Sequence, residues 1–283
     1  MISAELIELA TQFLKDRTKQ TIYLDKEILA YRWSGGRHGS LSPIDVNLSL
    51  TLDDLHGIDG QKAQLIQNTR QFLQGLPANH VLMTGSRGAG KSSLIRGLLA
   101  KFYSQGLRVI EVARDDLCHL DKIRQVVKNT NNNCHYIVFC DDLAFNVEDE
   151  NYRTLKSILD GALDSEQERL LVYATSNRRH LLPQMMKDNL NIYNGQTSEV
   201  NPYETIDETV SLSDRFGLWL SFHPMNQDTY LDIVRHYLDK NKLNLDDTAK
   251  HEALKWASLR GGRSGRIAYQ FSRHWIGSQM LMD

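Results

Sequence analysis

A doubly wound α/β domain with a parallel sheet, followed by a small all-helical C-terminal unit, is the fold class this sequence predicts. Three observations carry it. Short apolar runs alternate with stretches of helical periodicity between residues 59 and 222. Two of those runs, 136–140 (YIVFC) and 170–175 (LLVYAT), are apolar almost throughout, as strands covered on both faces are. After Pro224 only helical periodicity continues.

The elements follow in order. Ile2, Leu6, Leu9, Phe13 and Leu14 recur at helical spacing with Glu5, Glu8 and Lys15 between them, predicting an amphipathic helix over 2–15. Residues 31–40 (YRWSGGRHGS) are rich in glycine and polar groups and predict a surface connection. Pro43 and the alternating Ile44, Val46, Leu48 and Leu50 predict a short extended segment. Asp59 is a candidate cap for a helix carrying Ala63, Leu65, Ile66, Phe72 and Leu73, closed by Gly75 and Pro77. Strands are expected at 80–84, 107–113, 136–140, 170–175 and 216–222, and helices at 91–103, 117–127 and 152–163. The polar stretch 183–212, with Asn189, Asn191, Asn194 and Asn201, predicts a long surface loop. Beyond it, Tyr230, Ile233, Val234 and Leu238 share one helical face. Ala249, Ala253 and Leu254 share a second, and Ile267, Ala268, Phe271 and Trp275 a third. The expected division is an arm at 1–50, an α/β domain at 51–222 and a helical lid at 223–283.

Composition bounds the function. Thirty-three basic against 35 acidic residues in 283 give a net charge of −2, which argues against a nonspecific polyanion coat. With 41% hydrophobic residues the chain is no disordered segment. Cys118, Cys134 and Cys140 show no metal spacing and suit a reducing compartment. Glu5 and Glu8 interrupt the first apolar stretch, so no signal peptide is expected, and no run reaches the roughly 20 residues that span a bilayer. A cytoplasmic protein is expected. Cys140 is read as a small buried residue on its strand.

The sharpest motif is Gly85-Ser86-Arg87-Gly88-Ala89-Gly90-Lys91-Ser92, followed by Ser93. It fits G-x-x-x-x-G-K-S between a strand and a helix, the context a P-loop requires. Its glycines allow backbone N–H groups to converge on phosphate, aided by the positive end of the helix dipole. Lys91 is expected at the β- and γ-phosphates and Ser92 at Mg²⁺. Fifty residues after Lys91, the strand 136–140 ends in Asp141-Asp142. Asp141 is the expected second Mg²⁺ ligand, and Asp142 the carboxylate that orients or deprotonates water. No N-K-x-D motif is found, which disfavours a GTPase.

With the helical C-terminus, these motifs resemble an AAA+ ATPase over about residues 51–280. Residues 53–59 (DDLHGID) look like that superfamily's adenine-holding N-terminal box, implying contacts from Leu55, Gly57 and Ile58. Residues 174–177 (ATSN) look like sensor 1, which makes Asn177 the polar group near the γ-phosphate. Residues 213–217 (SDRFG) look like the arginine-finger segment of bacterial replication initiators, which makes Arg215 the finger, with Arg178 and Arg179 as rivals. Residues 264–268 (SGRIA) look like sensor 2, with Arg266 favoured over Arg263. The stretches SNRRHLLP, SLSDRFGLWLSF and RGGRSGRIAYQF look like an uncharacterised bacterial AAA+ family of predicted ATPases, a domain of unknown function.

The resemblance implies ATP and Mg²⁺ as cofactors and Asp142, Lys91, Asn177, Arg215 and Arg266 as the catalytic set. A finger acting in trans implies a homo-oligomer. The implied protein hydrolyses ATP as a switch, loader or remodelling factor on an unknown protein or nucleoprotein client. The alternative is a nucleotide-gated binding module with negligible turnover. Asp142 stands where most relatives place Glu, so slow hydrolysis is expected. Residues 113–117 (ARDDL) lack the aromatic of threading rings, and 161–169 leaves little room for a helicase hairpin. A membrane is not expected as a partner, and nucleic acid is not favoured.

Overall fold

The computed structural model describes residues 23–36, 39–144, 155, 156, 159, 169–177 and 215–281. The expectations for 2–15 and 183–212, and the rival fingers Arg178 and Arg179, lie outside them. Among the described residues seven strands form one sheet: β1 (Ala30–Ser34), β2 (Ser40–Ile44), β3 (Val81–Gly85), β4 (Leu107–Glu111), β5 (His135–Cys140), β6 (Leu170–Ser176) and β7 (Leu218–Phe222). Their order is β2-β1-β4-β5-β6-β3-β7, and every pairing is parallel except β1 with β2. Among the described residues the α-helices with described bounds are α1 (Asp59–Leu73), α2 (Lys91–Phe102), α3 (Leu120–Asn129), α4 (Gln227–Asp239), α5 (Asp247–Leu259) and α6 (Gly265–Met280).

The apolar strands are explained by burial on both faces. Along β5, Tyr136, Val138 and Cys140 join the core covered by Leu120, Ile123 and Val127 of α3. Ile137 lies instead with Leu65 and Phe72 of α1 and Leu94 and Leu98 of α2, and Phe139 packs against that layer. Successive strand residues point to opposite faces, so a sheet sandwiched by helices needs apolar residues at consecutive positions.

Several boundaries differ from the sequence reading. The connection expected over 31–40 is largely strand: β1 and β2 form an antiparallel hairpin that extends the sheet beyond β4. The glycines occupy only its turn, where Gly36 has φ of 99°. Burial of Trp33, 1% exposed, drives this arrangement, and its ring lies where a Cβ on Gly39 would fall, 2.4 Å from Cζ2. The extended segment expected over 44–50 ends as strand at Ile44, while Val46 and Leu48 pack on the α1–α2 layer. Ile58, not Asp59, is the N-cap of α1; Asp59 lies in its first turn and pairs with Lys62 at 2.7 Å. The helix expected over 117–127 begins as a 3₁₀ turn (Arg114–His119) and becomes α3 only at Leu120. Of the helix expected over 152–163, Leu155, Lys156 and Leu159 are described, and all three are helical.

The C-terminal helices build a core of their own from Tyr230, Val234, Leu238, Ala249, Ala253, Ala268 and Phe271. Each is capped by a side chain accepting from the backbone three residues on: Asn226 from Thr229 at 2.8 Å, Asp246 from Ala249 at 2.7 Å and Ser264 from Ile267 at 3.3 Å. The start of α6 docks on the loop after β3, Gly265 N–H donating to the Gly88 carbonyl at 3.0 Å.

His80, at the foot of β3, gives the fold a pH dependence. Its Nδ1 accepts from the Val172 N–H at 3.0 Å, which requires the neutral ring. Burial, with Arg124 nearby, lowers its pKa from 6.5 to about 4. The unfolded chain therefore takes up this proton first, and stability falls as pH drops from about 6.5 to about 4, then levels off. At about 1.4 kcal/mol per pKa unit the loss is at most on the order of 3 kcal/mol. Denaturant titrations at pH 7 and pH 5 should show it, and His80→Gln should flatten the difference. An unchanged difference in that variant would assign the effect elsewhere.

Candidate functional site

Parallel strands bring their carboxyl ends to one edge of the sheet, and the loops leaving β3, β5 and β6 meet there. The loop from Gly85 to Gly90 turns through three left-handed glycines, Gly85, Gly88 and Gly90, with φ of 123°, 71° and 95°. At Gly85 the requirement is steric as well, since a Cβ would fall 1.9 Å from the backbone oxygen of Phe222 on neighbouring β7. The loop then enters α2, and Lys91, at its first turn, is only 6% exposed. Its ammonium donates to the carbonyls of Gly85 at 2.7 Å and Ser86 at 2.9 Å, and to Asn177 Oδ1 at 3.1 Å. Burial lowers the Lys91 pKa, while Asp141 and Asp142 oppose the shift.

Beside it, Ser92 Oγ donates to Asp141 Oδ1 at 2.8 Å, and Thr175 Oγ1 donates to the same oxygen at 2.5 Å. The Thr175 hydroxyl also accepts from the Asp142 N–H at 2.9 Å. Asp142 has φ of 56°, a left-handed conformation that aspartate enters more readily than most side chains. One Asp142 oxygen accepts from Asn177 Nδ2 at 2.6 Å, and the other lies 3.8 Å from the Arg87 guanidinium. Cys140, just before the pair, is fully buried, and burial pushes its thiol up to about 12, with Asp141 adding to the effect. It is an inert packing residue at neutral pH.

The structure thus gathers Lys91, Ser92, Asp141, Asp142 and Asn177 into one connected network. Gly85, Ser86, Arg87, Gly88, Ala89 and Gly90 form the loop around it, and Ser93 follows in α2. Arg263 and Arg266 both line a cleft of about 710 Å³ that opens beside Ser86, Arg87 and Gly88 and also takes in Arg260. Among the described residues no carboxylate pairs with Arg260, Arg263 or Arg266. Arg215 stands apart: it precedes β7 at that strand's N-terminal end, whereas Phe222, at the other end, neighbours Gly85.

Leu55, Gly57 and Ile58 lie behind the loop. A Cβ on Gly90 would meet Ile58 Cδ1 at 3.5 Å and Leu55 Cδ2 at 4.0 Å, and one on Gly57 would meet Thr229 Cγ2 of α4 at 2.4 Å. Two contributors escaped the sequence reading. Thr175 aligns both aspartates, but a threonine ending a strand is an ordinary β-former and gives no signal. Asp54, 5% exposed, accepts from His236 Nε2 at 2.8 Å and from the Lys240 ammonium, 182 and 186 residues away in sequence. Burial alone would raise its pKa; the bonds from Lys240, the Thr51 N–H and His236 outweigh that and hold the carboxyl well below the usual carboxylate range.

With this geometry described, comparison with known proteins adds three findings. A family model described as "Protein of unknown function (DUF815)" matches residues 26–279. No curated protein matches the chain. Among solved structures, the replication initiator DnaA bound to AMPPCP and single-stranded DNA is similar over 81% of this chain and 65% of its own, at 16% identity and a TM-score of 0.51. The Thermotoga maritima RuvB Holliday junction branch migration motor is similar over 79% of this chain and 63% of its own, at 16% identity and a TM-score of 0.48. The chain thus spans just under two thirds of the length of each. Together with the strand order, the similarity to DnaA shows the fold, that of an AAA+ P-loop ATPase with a small helical C-terminal unit.

Proposed function

The chain belongs to the DUF815 family, and on that premise we propose that it binds and hydrolyses Mg²⁺-ATP as an oligomeric switch, loader or remodelling factor. The observation that carries this reading is the continuous network Ser92–Asp141–Thr175–Asp142–Asn177–Lys91 at the mouth of a P-loop. Such a network has the parts phosphoryl transfer needs: a cation for the phosphates, two oxygen groups for a metal and a carboxylate for water.

The residues fit the metal as well as the nucleotide. Ser92 Oγ and Asp141 Oδ1, 2.8 Å apart, are hard oxygen donors of the kind Mg²⁺ takes beside phosphate oxygens. Among the described residues no cluster of three or more His, Cys, Asp or Glu forms a cation site of protein groups alone. Mg²⁺ held there by Ser92 and Asp141 would supply neutralisation of phosphate charge. Lys91 leaves its loop carbonyls to bind those phosphates. Backbone N–H groups from Arg87 to Ser92 turn toward them, and Leu55, Gly57 and Ile58 bound the base. Asp142 orients the attacking water and accepts its proton, with Asn177 aligning both that carboxylate and the γ-phosphate. Arg266 from the first turn of α6, or Arg263 from the turn before it in the same cleft, reads the phosphates.

Arg215 enters this scheme from a neighbouring subunit. A residue at the far end of β7 serves another copy's site more readily than its own, which requires a heterologous contact and hence a ring or open helix. The client in this reading is a protein or nucleoprotein assembly. Among the described residues no helix is long and apolar enough to cross a membrane. The three free cysteines suit a reducing compartment, and a cytoplasmic location belongs to the same reading.

A second reading, a nucleotide-gated module with negligible turnover, draws on the same carboxylate: both Asp142 oxygens already face donors, at 2.6 and 3.8 Å. Hydrolysis measured on wild type, Asp142→Asn and Arg215→Ala separates the two. The enzyme reading expects Asp142→Asn to keep ATP binding while losing about a hundredfold in turnover, and Arg215→Ala to lose turnover in assembled samples. Equal phosphate release from wild type and Asp142→Asn would favour the gated module.

A further inference from the structure

We propose that Asp54 is a positioning residue for the nucleotide base, locking the 51–58 segment to helix α4 so that base contact and the helical unit move together. The inference rests on the nucleotide reading above and assigns a role that neither the P-loop, Asn177 nor the arginine of the α6 cleft supplies.

The segment begins with a 3₁₀ turn (Leu52–Asp54), and the residues expected at the base, Leu55, Gly57 and Ile58, follow within four positions. Phosphates held at Gly85–Ser92 oblige the base of the same nucleotide to lie close by, and Leu55 and Ile58 flank Gly90 at the entry to α2. The segment touches two bodies. Toward the α/β core, the Lys62 ammonium donates to the Leu55 carbonyl at 2.7 Å, and Leu52 lies 2.6 Å from where a Cβ on Gly97 would fall. Toward the helical unit, Gly57 abuts Thr229, and the His56 ring meets that of His236 edge-on with centroids 4.7 Å apart.

Asp54 fastens the second contact. Its Oδ2 accepts from the Thr51 N–H at 2.8 Å and the Thr51 hydroxyl at 3.1 Å, which closes the turn. Its Oδ1 takes His236 at 2.8 Å and the Lys240 ammonium, both on or directly after α4. A buried carboxylate is tolerated only while such donors remain in place. Sliding α4 by a fraction of a turn would strand that charge, so the segment and α4 keep one registry. A purely apolar seam would permit the sliding that Asp54 forbids.

The test separates base from phosphate. Binding of Mg²⁺-ATP and of Mg²⁺-tripolyphosphate, which carries the phosphate chain without base or sugar, is measured by calorimetry on the full chain. Wild type, Asp54→Asn, Lys240→Met and Lys91→Ala are compared. Asp54→Asn is expected to weaken ATP by about tenfold while tripolyphosphate stays within about twofold of wild type. Lys240→Met, whose side chain is half exposed, should shift ATP alone by a smaller factor, and it serves should Asp54→Asn fail to fold. Parallel losses for both ligands would reduce Asp54 to a stabilising contact, and unchanged ATP affinity in both variants would likewise overturn the role. If wild type and Lys91→Ala bind both ligands identically, the P-loop reading itself falls.

Discussion

Lys91→Ala is expected to lower phosphate release from ATP by at least about a hundredfold, to background. The ammonium is nearly buried and held by two loop carbonyls and Asn177, all of them weaker partners than phosphate oxygens. Its charge is thus available to the nucleotide at little reorganisation. A hundredfold loss corresponds to about 2.7 kcal/mol of transition-state stabilisation, typical for removing one charged donor from a phosphoryl-transfer site. The fold should survive, because the alanine also removes a buried charge, and a circular-dichroism melt would check this. Phosphate release equal to wild type in a folded Lys91→Ala sample would end the ATPase reading.

Among the described glycines, Gly85→Ala should be the most damaging substitution. The new Cβ would sit 1.9 Å from the Phe222 carbonyl oxygen and 2.8 Å from its carbon, both backbone atoms that cannot swing aside. Relief requires parting β3 from β7, at the pairing Gly85↔Phe222 that also carries the Ser86 N–H to Phe222 carbonyl bond at 3.1 Å. A left-handed φ of 123° adds strain for any L-residue. Together these are worth on the order of 3–5 kcal/mol, enough to lower the melting temperature by roughly 10 °C and to misalign the phosphate loop. A variant that melts within about 2 °C of wild type would contradict the stated contact. Gly60 offers a contrast, since a Cβ there meets nothing within 4 Å.

The two glycines look alike in sequence, yet only the P-loop motif distinguishes Gly85. That motif is legible because its chemistry is local: contiguous backbone N–H groups, one lysine and one hydroxyl act within a single turn. Asp141 and Asp142 are legible for a related reason, as they end an apolar strand whose direction fixes which edge of the sheet they reach. The hairpin of β1 and β2 was hidden by its mixed composition, since only the docked Trp33 and Tyr31 reveal which side is buried. Arg263, in the turn before α6, and Arg266, in its first turn, line one cleft, and a Cβ on Gly88 would meet Arg266 Cβ at 3.4 Å, a juxtaposition no sequence spacing displays.

By itself the sequence determined the layered α/β architecture, the phosphate loop, the paired aspartates and the helical C-terminus. Each is written in a short window, where hydrophobic period or backbone geometry dictates the residue type. The tertiary structure alone decided that Thr175 would align both aspartates, that Arg87 would face Asp142 and that Asp54 would seal the 51–58 segment to α4. Those contacts join residues 33 to 186 positions apart. A carboxylate or hydroxyl carries no mark of its partner until burial removes water and leaves a specific donor as the only means of satisfying it.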